Sequence, residues 1–348
     1  MKRSGVDSPK RLLVVSTTGI GDILMGTPAL RALRESFPGS EIHLLVNAKR
    51  KDVVAKNPHV DRVVEYRNNP LHRMLLFLRN LPYEYDKVLV FHANEDLWPV
   101  LRGIRYGVCY NRQNFRSEEK RVFPLDSLPR HSVQRRLALV EKIGGKKTDD
   151  YRYEFSIPPG ARDWASKKLR EWGISPLDVV VGFQLGAADL FKCWPAEDFA
   201  EVARYLRSSR RAKIYVNVSP QEKYLGQRFL ELAGKEGVFL TPEGNLFQSA
   251  ALIQRCNLFI TPDTGPMHMA IGLGVPLIGL FCPTSVEETG PLGYEKAVIL
   301  KKERTCQPCL NRGCPDNFCM KQITVEEVCR TADRILDNLS SAQERNGE

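Results

Sequence analysis

Residues 257–283 constrain the fold of this 348-residue chain most, because they contain a complete strand–turn–helix–strand pattern. The apolar run Leu258-Phe259-Ile260 predicts a buried strand of a parallel sheet. Met267 to Leu273 then carries apolar residues at helical spacing, and Val275 to Phe281 predicts a second strand. The stretch therefore predicts a βαβ unit whose first strand ends in polar residues.

These polar residues form a candidate ligand site. Asp263-Thr264-Gly265 connects the first strand to the helix, and His268 follows one turn further along. In open α/β sheets, ligands bind at the carboxyl ends of the strands, where backbone N–H groups of a helix start can hold phosphate. All four residues are therefore candidates for ligand binding, and helix capping is the alternative role for Asp263 and Thr264.

A second strand–loop–helix pattern opens the chain. Arg11 to Ser16 predicts a buried strand, and a loop containing Gly19 and Gly21 leads into a helix expected to continue to Leu33. The loop does not match the dinucleotide-binding fingerprint, because its third glycine position is occupied by Leu24. We therefore expect neither a nicotinamide nor a flavin, and no other cofactor is predicted.

Asp22 is the candidate functional residue of this glycine loop. It directly follows Gly21, near the start of the predicted helix and at the sheet edge where substrates bind. Capping of the helix is its alternative role.

Strands and helices alternate along the rest of the chain, which predicts parallel, doubly wound sheets. In the first half, strands are expected at 42–46, 61–65, 87–91 and 105–108, and helices near 48–56, 70–80 and 132–143. The pattern breaks at Ser156–Gly160 and again at Gly173–Pro176. We therefore predict an α/β protein with two similar open-sheet domains, residues 1–160 and 176–323, whose carboxyl edges face a ligand cleft. An amphipathic helix with a tail, residues 324–348, follows.

The net charge of +10 is concentrated in the first half of the chain. Residues 1–175 contain 32 Lys and Arg against 20 Asp and Glu, whereas residues 176–348 contain 19 against 21. This excess predicts an anionic partner for the first half. Anionic lipid headgroups or a phosphorylated substrate fit the charge, whereas nucleic acid is not expected because no nucleic-acid-binding motif is present.

Six residues of the basic half are candidates for the acceptor side of the cleft. Arg112 and Arg116 lie in a basic, irregular region, and His131 and Arg135 share a helix face at spacing i, i+4. The loop glycines Gly19 and Gly21 complete the set. A solvated surface is the alternative for any single one of these cations.

Three residues of the second half are candidates for a phosphate- and ribose-binding site at the edge of the second sheet. Gly186 lies in a loop of small residues, after the strand predicted from Val179 to Gln184, where a ligand can approach the backbone. Lys192 precedes a predicted helix and could neutralise a phosphate, and Glu222 follows the next strand, where a carboxylate can hold a ribose diol. Each signal alone is weak, but all lie at one predicted edge of the sheet.

The cysteines and the N-terminal segment bear on the cellular compartment. Residues 1–10 are polar and basic with no apolar segment behind them, and no apolar run approaches the ~20 residues of a membrane span. We therefore expect a cytoplasmic protein, whose cysteines are thiols or metal ligands rather than disulfides. Four of them could close a structural zinc site or remain reduced thiols: Cys306, Cys309, Cys314 and Cys319.

Three motifs occur in a fixed order along the chain. They are Gly-Ile-Gly-Asp22 followed by Thr27-Pro28-Ala29-Leu30, the segment 186–195 ending in Lys-Cys-Trp-Pro, and Thr-Pro-Asp263-Thr-Gly-Pro-Met-His268. Together they resemble glycosyltransferase family 9, the ADP-heptose:lipopolysaccharide heptosyltransferases. The resemblance covers nearly the whole chain, and the cysteine cluster is similar to that of some members, notably the second heptosyltransferase type.

The resemblance implies a GT-B architecture, with two Rossmann-like domains, the acceptor on the first and the sugar nucleotide on the second. It implies inverting transfer of heptose from ADP-heptose to the anionic inner core of lipopolysaccharide, either lipid A–Kdo or its heptosylated form. It also implies catalysis without a metal, which agrees with the lack of an Asp-x-Asp pair in the sequence. The enzyme would be cytoplasmic and peripheral to the inner leaflet of the cytoplasmic membrane.

The resemblance also implies roles for individual residues. Asp22 would be the general base that removes the proton of the acceptor hydroxyl. Lys192, with the backbone N–H groups of Thr264 and Gly265, would stabilise the ADP leaving group. Glu222 would hold the ribose, Asp263 would bind the donor sugar or order its loop, and His268 would support the site from the helix.

Two alternatives compete with this interpretation. The first is a transferase of the same fold that uses another nucleotide sugar or a surface-glycan acceptor. The second is a non-catalytic cysteine–metal binding protein on an α/β scaffold. Identification of the products of donor hydrolysis distinguishes all three.

Overall fold

The computed structural model describes residues 8–78, 85–92, 97, 107–111, 122–124, 127–306, 314 and 318–347, and of these only the backbone at 77–78, 107–111, 122–124 and 342–347. The chain divides into two units, Met1–Ser156 and Ile157–Glu348.

The first unit contains a parallel sheet. Its strands are β1 (Arg11–Ser16), β2 (Glu41–Asn47), β3 (Arg62–Tyr66), β4 (Lys87–His92), β5 (Gly107–Asn111) and β6 (Val122–Pro124). Its helices are α1 (Ile20–Leu24), α2 (Thr27–Ser36), α3 (Pro70–Leu78) and α4 (Ser132–Lys142), and a 3-10 helix spans Ala48–Val53. The strand order β3-β2-β1-β4-β5-β6 is that of the Rossmann fold.

The second unit repeats this topology. Its strands are β7 (Val180–Gln184), β8 (Lys213–Asn217), β9 (Val238–Leu240), β10 (Leu258–Pro262), β11 (Leu277–Phe281) and β12 (Ala297–Lys301). Its helices are α5 (Pro159–Glu171), α6 (Ala196–Arg210), α7 (Lys223–Ala233), α8 (Leu246–Arg255), α9 (Gly265–Gly272), α10 (Val286–Thr289), α11 (Phe318–Lys321) and α12 (Val325–Gly347). The parallel order β12-β11-β10-β7-β8-β9 is equivalent to that of the first sheet.

The switch points of the two sheets locate the candidate sites. The order in which successive strands join the sheet reverses between the parallel neighbours β1 and β4 in the first sheet, and between β7 and β10 in the second. Loops that leave the carboxyl ends of such neighbouring strands run to opposite sides and open a crevice, and this crevice is where open α/β sheets bind ligands.

Burial on both faces explains why the central strands are nearly continuous apolar runs. In the second unit, Phe183, Ile214 and Ile260 are completely buried, as are the helix residues Phe199 and Val328 that cover the sheet. Parallel strands covered by helices on both faces lose the alternation of polar and apolar residues. Each large side chain of this kind contributes about 1.5–3 kcal/mol relative to an exposed position.

The final helix belongs to the core of the second unit. Val328, Ala332 and Leu336 recur at helical spacing and pack into that core. On its outer face, Asp333 accepts a hydrogen bond from Arg210 Nε of α6 at 2.7 Å. The amphipathic helix predicted from residue 324 is therefore present, and it contributes to the packing of the second sheet.

Several predicted elements differ from the structure. The single helix predicted from Ile23 to Leu33 is two helices, because the chain turns at Met25-Gly26 and Pro28 suits the first turn of a new helix. The helix predicted near 48–56 is a short 3-10 helix, and the strand predicted at 105–108 is β5, at Gly107–Asn111. Among the described residues, no helix is long and apolar enough to cross a membrane.

Candidate active site

Asp22 lies at the switch point of the first sheet, in the loop-and-helix segment after β1. Its Oδ2 accepts hydrogen bonds from Thr18 Oγ1 at 2.8 Å and from the backbone N–H of Gly19 at 3.2 Å. A Cβ at Gly19 would lie 3.3 Å from that oxygen, so a glycine lets the carboxylate fold back over the loop. The Asp22 side chain is 26% exposed, so a ligand can reach it.

A buried arginine holds the other carboxylate oxygen. The side chain of Arg136, in α4, is completely buried, and its Nη2 donates to Asp22 Oδ1 at 3.2 Å. Its Nη1 donates to the carbonyl and the hydroxyl of Ser132, at 2.8 and 2.7 Å. The sequence predicts a role for the neighbouring Arg135, whereas the structure places Arg136 against the carboxylate.

The pKa of Asp22 is lowered to about 2. Burial raises this pKa, but the charges of His92 and Arg136 and the hydrogen bonds from Thr18 and Gly19 lower it by more. His92 ends β4, the strand across the switch point from β1. The carboxylate is therefore ionised at neutral pH, which is the state a general base requires.

The other predicted residues of the first unit have different surroundings. His131 precedes α4, and its Nδ1 accepts a hydrogen bond from the backbone of Val133 at 3.2 Å, so it caps the helix. His131 and Arg135 are both buried. Arg112 and Arg116 lie outside the described residues.

Lys192 and Asp263 meet at the switch point of the second sheet. Lys192 ends a 3-10 turn in the loop after β7, and Asp263 follows β10. Lys192 Nζ lies 3.3 Å from Asp263 Oδ2. The lysine side chain is 21% exposed and the aspartate side chain 8%, so the ammonium group is the more accessible partner.

Asp263 is oriented by two further side chains. Thr289 Oγ1 of α10 donates to Asp263 Oδ2 at 3.4 Å, and Nε2 of the buried His268 lies 3.9 Å from Oδ1.

Thr264 is the residue before α9, and its side chain makes no capping hydrogen bond. The side-chain capping role considered for Thr264 is therefore not observed, and the Asp263 carboxylate faces Lys192 instead. The first N–H groups of a helix such as α9 have no partner within the helix.

Gly186 and Glu222 are in direct contact. Glu222 ends the 3-10 turn Pro220–Glu222 after β8, and its Oε2 accepts a hydrogen bond from the backbone of Ser219 at 3.0 Å. A Cβ at Gly186 would lie 2.0 Å from Glu222 Oε1 and 2.5 Å from its carboxyl carbon. Any side chain at Gly186 would therefore displace the glutamate, which is a constraint that the sequence does not reveal.

A buried polar network supports the Gly186 loop. Gln184, the last residue of β7, donates to the carbonyl of Gly186 at 2.9 Å and accepts from Asn217 Nδ2 at 2.6 Å. Asn217 ends β8, and its Oδ1 accepts from Tyr215 at 3.0 Å and from Ser249 at 2.6 Å. Polar residues that end two buried strands are the sequence signal that could have identified this network.

The cysteines proposed as zinc ligands are partly described. Cys309 lies outside the described residues, Cys306 is exposed, and Cys314 is half-buried. Cys319 Sγ accepts a hydrogen bond from the backbone N–H of Thr305 at 3.3 Å. Within the described part of the chain, no group of three or more His, Cys, Asp or Glu residues is arranged to hold a metal ion.

The chain is similar in sequence to known glycosyltransferases. Residues 100–319 match the family described as glycosyltransferase family 9 (heptosyltransferase). The chain is 23% identical over 335 residues to lipooligosaccharide heptosyltransferase 2 of Campylobacter jejuni, which covers 94% of this chain and 99% of that protein.

Solved structures of the same fold cover nearly the whole chain. A glycosyl transferase family 9 structure from Veillonella parvula superimposes with a TM-score of 0.80 at 26% identity, covering 94% of this chain and 97% of that one. The E. coli ADP-heptose lipopolysaccharide heptosyltransferase II superimposes with a TM-score of 0.75 at 20% identity, covering 95% and 99%. These similarities confirm the predicted class of two parallel-sheet α/β domains of the GT-B type. Since the family match spans more than half of the chain and includes the Lys192 and Asp263 loops, the chain belongs to glycosyltransferase family 9, the heptosyltransferases.

Proposed function

We propose that this enzyme transfers heptose from ADP-heptose to the inner core of lipopolysaccharide, with inversion at the anomeric carbon and without a metal ion. The names of its relatives support the proposal, since one is a lipooligosaccharide heptosyltransferase 2 and another an ADP-heptose lipopolysaccharide heptosyltransferase II. The observation that carries it is the ionised, partly exposed carboxylate of Asp22 at the switch point of the first sheet.

Asp22 would act on the acceptor. In an inverting transfer, the acceptor oxygen forms its bond to the anomeric carbon while the bond from that carbon to ADP breaks and ADP takes the electron pair. The hydroxyl proton must leave as the new bond forms, and a positioned carboxylate typically accelerates such a step by about 10²–10⁴-fold. Because its pKa is about 2, Asp22 is a weak base towards a free alcohol. It accepts the proton only when attack has already made that hydroxyl strongly acidic, which confines proton transfer to the transition state.

Lys192 and the start of α9 would act on the donor. ADP leaves with a growing negative charge, and a lysine together with helix N-terminal N–H groups stabilises such a charge. Asp263 holds the Lys192 ammonium in place, and Thr289 fixes Asp263 in turn. The absence of an Asp-x-Asp pair from the sequence agrees with a leaving group stabilised by these residues instead of a metal ion.

Glu222 and His268 would complete the donor site. Glu222 is held by the backbone of Ser219 against Gly186, at the end of the strand next to β7, where it could accept hydrogen bonds from ribose hydroxyls. His268 is buried behind Asp263 and would support the loop without contacting the substrate.

The acceptor determines where the enzyme would work. An inner-core acceptor is anchored by lipid A, so the proposal includes a cytoplasmic enzyme that associates peripherally with the inner leaflet of the cytoplasmic membrane. The excess of Lys and Arg in residues 1–175 supports such a location because this acceptor is anionic.

The test is transfer by the purified protein. The donors are ADP-heptose and, in separate reactions, other ADP-, UDP- and GDP-sugars. Each donor is offered with lipid A–Kdo and with its heptosylated form. Mass spectrometry identifies the products, and NMR gives their anomeric configuration. Heptose transfer from ADP-heptose with inversion supports the proposal. Transfer only from another nucleotide sugar would establish the alternative transferase, and no transfer or hydrolysis with any donor would favour a non-catalytic protein.

A further inference from the structure

Helix α3 presents an apolar row to solvent. Leu71, Met74 and Leu75 lie on one face at helical spacing and are 63%, 51% and 41% exposed. The opposite face packs inward, because Leu76 is buried and the His72 ring contacts the ring of Tyr66. Scattered exposed apolar residues are normal on a protein surface, but a contiguous apolar helix face marks a docking surface.

Three exposed cations, called the rim below, lie at the carboxyl ends of β2 and of β3, the strand that leads into α3. The 3-10 helix Ala48–Val53 follows β2, and α3 follows the neighbouring β3, where Asn47 pairs with Tyr66 in the sheet. Lys49, Lys51 and Arg67 are exposed at this corner. Glu65 offsets part of the charge, because its carboxylate lies 2.7 Å from Lys51 Nζ and 4.0 Å from Arg67 Nη2. Even so, residues 48–78 contain seven Lys and Arg against three Asp and Glu, a net charge of +4.

We infer that this surface, α3 with the cations Lys49, Lys51 and Arg67, docks on the anionic lipid surface that carries the acceptor. The apolar row would enter the boundary between headgroups and acyl chains, and the rim would contact anionic headgroups. A second copy of the chain would also cover an apolar row, but the surrounding positive charge would then be brought against itself. Charge complementarity therefore selects a lipid surface over self-association.

The position of the surface fits this role, and the inference rests on the proposed function. The surface is adjacent to the carboxyl end of β3, and Asp22 follows the carboxyl end of β1, in the same sheet. Docking at this corner keeps the carboxyl edge of the sheet close to the membrane plane, where a lipid-anchored hydroxyl is found. Three apolar side chains alone give weak, reversible binding, so both the row and the rim are required.

Vesicle co-sedimentation tests the surface directly. The wild-type protein should bind phosphatidylcholine vesicles that contain phosphatidylglycerol and should bind pure phosphatidylcholine at least about tenfold less, because each basic residue near an anionic surface contributes roughly fivefold. Added salt should release the protein. The variant Leu71→Ser/Met74→Ser/Leu75→Ser and the variant Lys49→Ser/Arg67→Ser should each lose about tenfold or more in binding. Leu177→Ser, which changes an apolar residue that is 94% exposed in the second unit, should bind like wild type.

Enzyme kinetics separate this inference from the proposed function. With vesicle-embedded acceptor the triple α3 variant should show a raised KM, whereas with a soluble acceptor stripped of its acyl chains its kcat/KM should match wild type. The inference is overturned if the triple variant binds vesicles as tightly as wild type. It is also overturned if the affinity of wild type for vesicles does not depend on their content of anionic lipid. A dimer of the wild type that becomes a monomer in the triple variant, measured by analytical ultracentrifugation, assigns the row to self-association and also overturns it. Failure of heptose transfer with both acceptors, while vesicle binding behaves as expected, would count against the proposed function alone.

Discussion

Arg136 and Asp22 form an ion pair whose members differ in exposure: the guanidinium group is completely buried, whereas the carboxylate side chain is 26% exposed. The arginine also bonds twice to Ser132 within its own helix, so it is fixed independently of the carboxylate. Removing a buried charge from a pair of this kind is costly, because the remaining group has already lost its water. Asp22 is therefore held in one orientation with one open side, which is the geometry expected of a base that meets its substrate from solvent.

Replacement of this carboxylate tests its assigned role. Asp22→Asn should lower kcat at saturating acceptor by about two orders of magnitude or more, because the amide cannot accept the proton. ADP affinity should stay nearly unchanged. Asp61→Asn is the matched control, since Asp61 also pairs with an arginine, Arg34. Asp61 precedes β3 and so lies at the amino ends of the strands, whereas Asp22 follows the carboxyl end of β1. A variant at Asp22 that keeps most of its turnover would remove this residue from the mechanism.

The same ion pair predicts a pH dependence of stability. The pKa of Asp22 is about 2 in the folded protein against a usual 3.8. A depressed folded-state pKa contributes stability that is fully present above about pH 4 and is lost as the pH falls through 2. The shift corresponds to at most about 2 kcal/mol, reduced by the partial exposure of the carboxylate.

Denaturant unfolding of wild type and Asp22→Asn between pH 7 and pH 3 measures this contribution. The difference in free energy of unfolding should be largest at neutral pH and should narrow as the pH falls below 4. A difference that is constant over the range would show that the ionised carboxylate adds no stability.

Lys192 is expected to bind the phosphates of the donor. Lys192→Ala should raise the Kd for free ADP by about tenfold or more, because a charge-assisted contact to phosphate is lost. The matched control is Lys223→Ala in the same unit, since Lys223 is 61% exposed and pairs with the exposed Glu243. Calorimetric titration with ADP measures the affinity of both variants. An ADP affinity of Lys192→Ala equal to that of wild type would show that Lys192 does not bind the phosphates.

The sequence predicts the sheets well and the partners of Asp22 poorly. Buried parallel strands such as β7 and β10 are nearly continuous apolar runs, which are visible without any knowledge of their neighbours. The short edge strand β6 and the half-exposed edge strand β12 carry no comparable signal, and neither is predicted.

Arg136 shows why the site itself was harder to predict. Val133, Leu137 and Val140 form the buried stripe of α4, and Arg136 falls within this stripe at spacing i+3 from Val133. An arginine on an apolar face needs a buried partner. The stripe therefore indicates that a partner exists, but the partner is 114 residues away in sequence, and only the folded sheet brings the two together.

The contact between Gly186 and Glu222 predicts a non-additive pair of substitutions. Gly186→Ala should displace the Glu222 carboxylate, since its new Cβ would lie 2.0 Å from Oε1. The displaced glutamate loses its bond to Ser219, which costs about 1 kcal/mol. If Glu222 holds the ribose, Gly186→Ala and Glu222→Ala should weaken ADP binding by similar factors, and the double variant should be no weaker than Glu222→Ala alone. Additive losses in ADP titrations would instead assign Gly186 a separate contact with the ligand.

The segment that contains Cys306, Cys309, Cys314 and Cys319, here called the cysteine loop, allows a test of whether the mechanism depends on a metal ion. Cys306 follows β12, and Cys319 lies in α11, which is close to the 3-10 turn that ends in Lys192. A zinc ion held by Cys306, Cys309, Cys314 and Cys319 would nevertheless act structurally, because four thiolate ligands leave it no open position for a substrate. We therefore expect turnover to survive a strong chelator, even where the loop loses order.

Metal analysis of protein purified without a histidine tag, run beside the assay in chelator, decides between the two states of the loop. Stoichiometric zinc with unchanged turnover in chelator would show a structural site, and metal-free protein of full activity would show reduced thiols. Both results agree with a leaving group that is stabilised by Lys192 and the start of α9. Loss of turnover in chelator that is restored by added zinc would contradict the metal-free mechanism, because neither the lysine nor the helix start responds to a chelator.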